Sequence, residues 1–270
     1  KQVAVLETDD LQSVTTAQLV AMTTAQVASF TTDQTVALTT GQISNLTTAQ
    51  LAGMTTNQVA AMETADLVAV TTAQLVALTT AQMVALTTDQ VSNLTTDQLA
   101  ALTTKQVIVL ETDDLQAVTT AQMQTMTTLQ MAVLKTAQMV ALTTDQVSNL
   151  TTAQLTAFTS LQVAAIETDD LVAVTTAQLI AMTSAQVASF TTDQVVALTT
   201  AQVSTLTTAQ LAAMTTKQVA AMETNDLQAI TTAQLVAMTT AQVASFTTDQ
   251  TVALTTDQIS NLKTAQLSAM

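Results

Sequence analysis

Histidine, cysteine, tryptophan, tyrosine and proline are absent from the 270 residues, and there are only two glycines, four phenylalanines and five basic residues, all lysine. Without cysteine there is neither a disulfide nor a thiolate metal site. Without histidine, and with few paired titratable groups, general acid–base and nucleophilic catalysis lack their usual side chains, so no enzymatic activity is expected. A formal charge of −15 argues against binding nucleic acid, which requires clustered lysine and arginine, and against adsorption to an anionic membrane surface. Threonine, glutamine or aspartate interrupts every apolar run well before the roughly 20 residues that a membrane span requires. No membrane insertion is expected.

From Glu7 to Met270 the chain consists of 33 eight-residue units without insertion or deletion. Each reads T-T-x-Q-φ-x-s-φ, where φ is large and apolar and s is small, as in Thr15 to Met22. Position 2 is always threonine except at Ser160 and Ser184, and position 5 is apolar except at Thr35 and Thr251. So regular an array points to a solenoid, in which stacked units bury one continuous core. Composition changes nowhere along the chain, so residues 1–270 are expected to form a single continuous repeat domain. The chain opens at position 3 of a unit, with Lys1 and Gln2, and closes at position 8. With Thr-Thr placed between Met270 and Lys1, the two ends are in phase. The expectation is a segment of a longer array that continues head to tail.

One uninterrupted helix cannot accommodate this repeat. Eight residues at about 100° each leave the apolar stripe about 80° out of register per unit, and it soon wraps the whole cylinder. The break is written at positions 8, 1, 4 and 5. In Leu78-Thr79-Thr80-Ala81-Gln82-Met83, Thr79 and Gln82 have the spacing of a capping box, and Leu78 and Met83 that of a hydrophobic staple. The expected fold is all-α, a superhelix of one short capped helix per unit. A β-solenoid is the alternative, since threonine and valine favour strands. The apolar spacing of 3 then 5 and the near absence of glycine for corners argue against it. All acids fall at positions 1, 3 or 4, where they complement the positive end of a helix dipole. The corners are therefore expected to face water, and positions 5 to 8 to face inward.

A slower period lies over the octad. Five units read E-T-x-D, with Glu7/Asp10, Glu63/Asp66, Glu111/Asp114, Glu167/Asp170 and Glu223/Asp226, at spacings of 56, 48, 56 and 56 residues. The S-N-L variant recurs at Ser44, Ser92, Ser148 and Ser260. Duplication of a 56-residue segment accounts for this without physics. A physical account is that two superhelical turns of between three and four octads bring the marked units to one face. The carboxylate groups Glu7/Asp9/Asp10, Glu111/Asp113/Asp114 and Glu167/Asp169/Asp170 are the candidate calcium ligands, oxygen donors of the type that ion takes. They lack the glycine-containing D-x-D-x-D-G loop, so a solvated acidic ridge is the plainer reading and no cofactor is expected. Rows of paired threonines could present a hydroxyl lattice to ice or glycan, but capping already employs those hydroxyls. The methionines lie mostly at positions 5 and 8, as flexible core fillers.

The phrase Leu198 to Leu206, LTTAQVSTL, resembles the octapeptide arrays of large bacterial surface and secreted adhesin-like proteins, and the resemblance covers the whole chain. It implies an extracellular or cell-surface structural role: a stalk, spacer or filament-forming segment that self-associates head to tail or laterally. The alternative is a binding module whose acidic ridge or threonine rows recognise calcium, glycan, ice or a basic partner; a glycan or surface partner is possible. The same phrase is similar to the first helix of a TAL-effector repeat. The second helix and the base-reading residues of that family are missing here, so only the helix start carries over.

Overall fold

The computed structural model describes residues 3–270. Lys1 and Gln2, on which the phase match with Met270 rests, lie outside the described residues. The chain is all-helical, with one α-helix of four to six residues in each of the 33 octads and no strand among the described residues. It divides into two compact units, Lys1–Leu134 and Lys135–Met270. The division falls on an octad boundary, where Lys135 takes the cap position usually held by threonine.

Each corner is made without glycine. Position 8 leaves the helix in an extended conformation or follows a last turn that tightens, and position 1 is extended throughout; Leu78, at φ −59° and ψ 136°, precedes Thr79, at φ −69° and ψ 160°. No described residue has a positive φ. Two extended residues between helices of about six are enough to turn the chain, so the scarcity of glycine carries no cost. Every helix whose octad begins with threonine has the expected capping box. In the Thr15 octad, the Gln18 amide N–H donates to Thr15 Oγ1 at 3.3 Å and the Thr15 N–H donates to Gln18 Oε1 at 2.9 Å.

Burial departs from the sequence expectation at two positions. Positions 5 and 8 form the core, as at Leu67, Val70, Leu99 and Leu102 in the first unit and Leu171, Val174, Leu211 and Met214 in the second. Position 6, expected to face inward, faces water: Val68 is 40% exposed and Ile180 46%. Position 4, the capping glutamine, is buried instead, with Gln98 2% exposed. The reason is helical geometry. Positions 4 and 8 differ by about 400°, so they lie on one face with position 5 near it, whereas position 6 is turned about 100° beyond position 5.

Within each unit a helix packs on the helix three octads before it. In the first unit Thr96–Ala101 packs on Thr72–Ala77, and in the second Thr200–Thr205 packs on Thr176–Ala181. Glutamine bonds reach one octad further back. Gln98 Nε2 donates to Leu67 O at 2.9 Å and Val70 O at 2.7 Å, at the end of the Thr64–Ala69 helix. A superhelical turn therefore closes between three and four octads, as the spacing of the marked units predicts.

Candidate functional site

The ordinary octad uses both ends of its glutamine amide. The oxygen of Gln98 accepts from the Thr95 N–H at 2.9 Å and caps its own helix. The nitrogen donates to carbonyls at positions 5 and 8 of the octad four before. The same pair of bonds recurs from Gln42 to Gln130 in the first unit, and from Gln186 to Gln266 in the second, except in the E-T-x-D octads and the octad that follows each of them. This ladder satisfies the position-8 carbonyl beyond the helix end and adds a second bond to the position-5 carbonyl, which already accepts from the position-8 N–H, and it ties each turn to the next.

The E-T-x-D octads break the ladder. Aspartate is one methylene shorter than glutamine and, when ionised, has no hydrogen to donate. In its place a threonine from three octads earlier donates to the carboxylate. Thr40 Oγ1 donates to Asp66 Oδ1 at 2.7 Å, Thr88 to Asp114 at 2.9 Å, Thr144 to Asp170 at 2.6 Å and Thr200 to Asp226 at 2.8 Å. The second oxygen, Oδ2, of Asp66, Asp170 and Asp226 is buried with no partner. That of Asp114 accepts only a long bond, 3.4 Å, from the Glu111 N–H. The position-1 glutamates Glu63, Glu167 and Glu223 make no side-chain cap bond. Burial holds all four carboxyls above the usual aspartate value of 3.8, and the neighbouring position-1 glutamate pushes in the same direction. The threonine hydroxyl opposes both.

The break displaces the next rung. Gln74, Gln122, Gln178 and Gln234 each follow a marked octad, and each donates to a position-6 carbonyl (Ser44, Ser92, Ser148 and Ser204) as well as to position 8. Those serines belong to the octads that supply the threonine. The S-N-L variant and the E-T-x-D variant are thus two halves of one contact, with S-T-L at Ser204 in place of S-N-L. Their constant offset of 19 residues, from Ser44 to Glu63, Ser92 to Glu111, Ser148 to Glu167 and Ser204 to Glu223, persists across the 48-residue spacing. This offset is a property of the sequence alone.

The candidate calcium ligands do not converge. Glu7, Asp9 and Asp10 are exposed; Glu111, Asp113, Glu167 and Asp169 are exposed, while Asp114 and Asp170 of the same groups turn inward. Among the described residues no three carboxylates are placed to hold one metal ion. An open cleft of about 520 Å³ in the second unit has Glu167, Asp169 and Asp193 on its walls, beside Val140 and Ile166. It offers negative charge and no base or nucleophile beyond those carboxylates and threonine hydroxyls.

The ALTTAQ repeat profile matches six segments, residues 3–40, 59–96, 107–144, 163–200, 196–222 and 219–256. The chain belongs to the ALTTAQ repeat family. Its name spells the unit in which the helix cap, the buried glutamine and the core residue recur, and the matches run through both compact units. No curated protein matches the sequence. The ALTTAQ array is thus a structural repeat protein in which the glutamine ladder is the rule and the buried aspartate is the recurrent exception. No helix among its described residues is long and apolar enough to cross a membrane.

Proposed function

We propose that this ALTTAQ array is a stalk, spacer or filament-forming segment of a bacterial surface or secreted protein, and that it has no catalytic activity. The glutamine ladder carries this reading. The same inter-turn bond, repeated along each unit, uses a regularly placed glutamine to hold turns together, and most exposed positions are left to threonine, alanine and acids, with single aliphatics such as Val68 and Ile180 among them. A chain made in this way provides length, solubility and negative charge.

Assembly by continuation of the array is part of the proposal. Gln18 and Gln26 cap their own helices and are exposed, whereas the same amide is buried against another turn along most of each unit. At position 5, Ile259 and Leu267 are 43% and 53% exposed, where the core positions of inner turns are covered. A further turn, from a longer chain or from a second copy, covers these groups by the contacts already used inside each unit. Electron microscopy of the purified chain tests this. Filaments of uniform width are expected if copies continue one another, and discrete particles at all concentrations would refute self-assembly while leaving the spacer role in place.

The second reading is a binding module, and the cleft bearing Glu167, Asp169 and Asp193 is the observation that favours it. Calcium, or a basic or glycan partner, would be its ligand class. A rise in thermal midpoint with millimolar calcium that disappears in Asp169→Asn/Asp193→Asn would support it. No change in the midpoint would exclude calcium there.

A further inference from the structure

We propose that the E-T-x-D octads are proton-operated latches between successive turns: Asp66, Asp170 and Asp226 hold their turns loosely when ionised and firmly when protonated. At this position the glutamine of an inner ordinary octad, such as Gln98 or Gln202, sends two N–H hydrogens toward the preceding turn. An ionised carboxylate sends none, and only the neutral carboxyl regains a hydrogen to donate. One oxygen of each carboxyl is already fixed by the threonine hydroxyl of the turn below. The other is buried and bare, which leaves a desolvated anion uncompensated. Adding a proton removes the charge at that bare oxygen and with it the cost of burying an anion there. Asp114 has the same threonine partner and a weak second bond, and belongs to the same set.

The surroundings reinforce this. Asp66 faces Glu63 on its own octad, no titratable group on the Thr40–Ser44 helix beneath it, and Asp89 on the Thr88–Ser92 helix above. Asp170 faces Glu167 and Asp169, with Asp145 on the helix beneath and Asp193 on the helix above. Asp226 faces Glu223, no titratable group beneath, and Asp249 above. Asp114 has Glu111 and Asp113 on its own octad and Asp89 beneath. None of these helices carries a basic residue, so no opposite charge on them offsets the buried one and hydrogen bonds alone oppose it.

The sign follows from linkage. A carboxyl held above its ordinary value in the folded state keeps its proton over a pH range in which the unfolded chain has already lost it. Stability therefore falls as pH rises through that range and is regained on acidification.

The test compares two fourfold variants that change net charge equally. One, Asp66→Gln/Asp114→Gln/Asp170→Gln/Asp226→Gln, restores the ordinary octad. The other, Asp89→Gln/Asp145→Gln/Asp193→Gln/Asp249→Gln, alters exposed acids on the adjoining turns. The thermal midpoint of the unaltered chain is expected to rise by at least about 3 °C between pH 7 and pH 4.5. The rise should persist in the exposed-site variant and vanish in the buried-site variant, whose midpoint at pH 7 should be the highest of the three. Equal pH responses in the two variants would overturn the latch, because net charge alone would then account for them. So would retention of the full rise in the buried-site variant. Should that variant not fold, single Asp66→Asn and Asp226→Asn chains make the same comparison. Carbon-13 titration of the side-chain carboxyls gives a direct readout: the four buried aspartates should titrate above the ordinary aspartate value of 3.8, and titration at that value would refute the proposal.

Discussion

Replacing Gln98 with alanine removes one rung of the ladder and leaves the cap residue Thr95 in place. Four groups lose a partner. Val70 O loses the 2.7 Å bond from Nε2, Leu67 O the 2.9 Å bond and Val68 O a longer one of 3.2 Å, and the Thr95 N–H loses its bond to Oε1. Leu67 O keeps the backbone N–H of Val70 at 3.2 Å and Val68 lies at an exposed position, so Val70 O and the Thr95 N–H bear most of the loss. A buried polar group left unpaired costs about 1–3 kcal/mol. The Thr95 N–H lies at a corner that water reaches, which puts its share at the low end, and the expected loss is about 2–4 kcal/mol. Thr95→Ala provides the internal scale. It removes only the bond from the Gln98 N–H, 3.1 Å, and a lost threonine cap costs typically about 1 kcal/mol. Gln98→Glu should be the most damaging at neutral pH, since it directs a carboxylate at two carbonyl oxygens. Guanidinium titration followed by far-ultraviolet circular dichroism measures the three variants. Hydrogen exchange at the Thr95 amide locates the damage. If Gln98→Ala costs no more than Thr95→Ala, the inter-turn bonds contribute nothing beyond capping, and the ladder does not hold the turns together.

Other substitutions examine the packing. A Cβ added at Gly41 meets nothing closer than Thr39 Oγ1 at 3.9 Å, so Gly41→Ala should stabilise the chain by about 0.5–1 kcal/mol in denaturant titration. At Gly53 the added Cβ meets Thr24 Cβ at 3.3 Å; Gly53→Ala should gain less, and an equal gain would show that the two turns yield there. Thr35 is fully buried at position 5, and its hydroxyl donates to Thr31 O at 3.0 Å. Thr35→Val, the residue found at the equivalent Val195, should raise stability by up to about 1 kcal/mol, and a loss would show that this hydroxyl matters to the fold. Leu99→Ala should cost about 2–5 kcal/mol. Val68→Ala, at an exposed position 6, should stay within about 0.5 kcal/mol of the unaltered chain, and similar costs at the two sites would contradict the burial pattern.

The sequence by itself determined the helix starts. T-x-x-Q with an apolar residue on either side is a local device whose atoms lie within six residues, so the capping boxes at Thr15, Thr79 and their equivalents follow from spacing alone. It also determined the turn size, because the marked units return after six or seven octads and two turns must fit between them. It did not determine which residues face inward at positions 4 and 6. Gln98 and its equivalents read as surface caps, yet each is buried, since the carbonyls that receive its nitrogen belong to a turn 28 and 31 residues away. Val68 read as core and is exposed, because a short helix laid on a curved stack shows its neighbour one face only. The buried aspartates were the least legible. Glu63 and Asp66 look like a surface acidic pair, and only the stacking of turns places Asp66 under the hydroxyl of Thr40, 26 residues earlier. Caps depend on neighbours in the chain and can be read from it, whereas ladder and latch depend on neighbours across the turn, which the closed superhelix alone brings together.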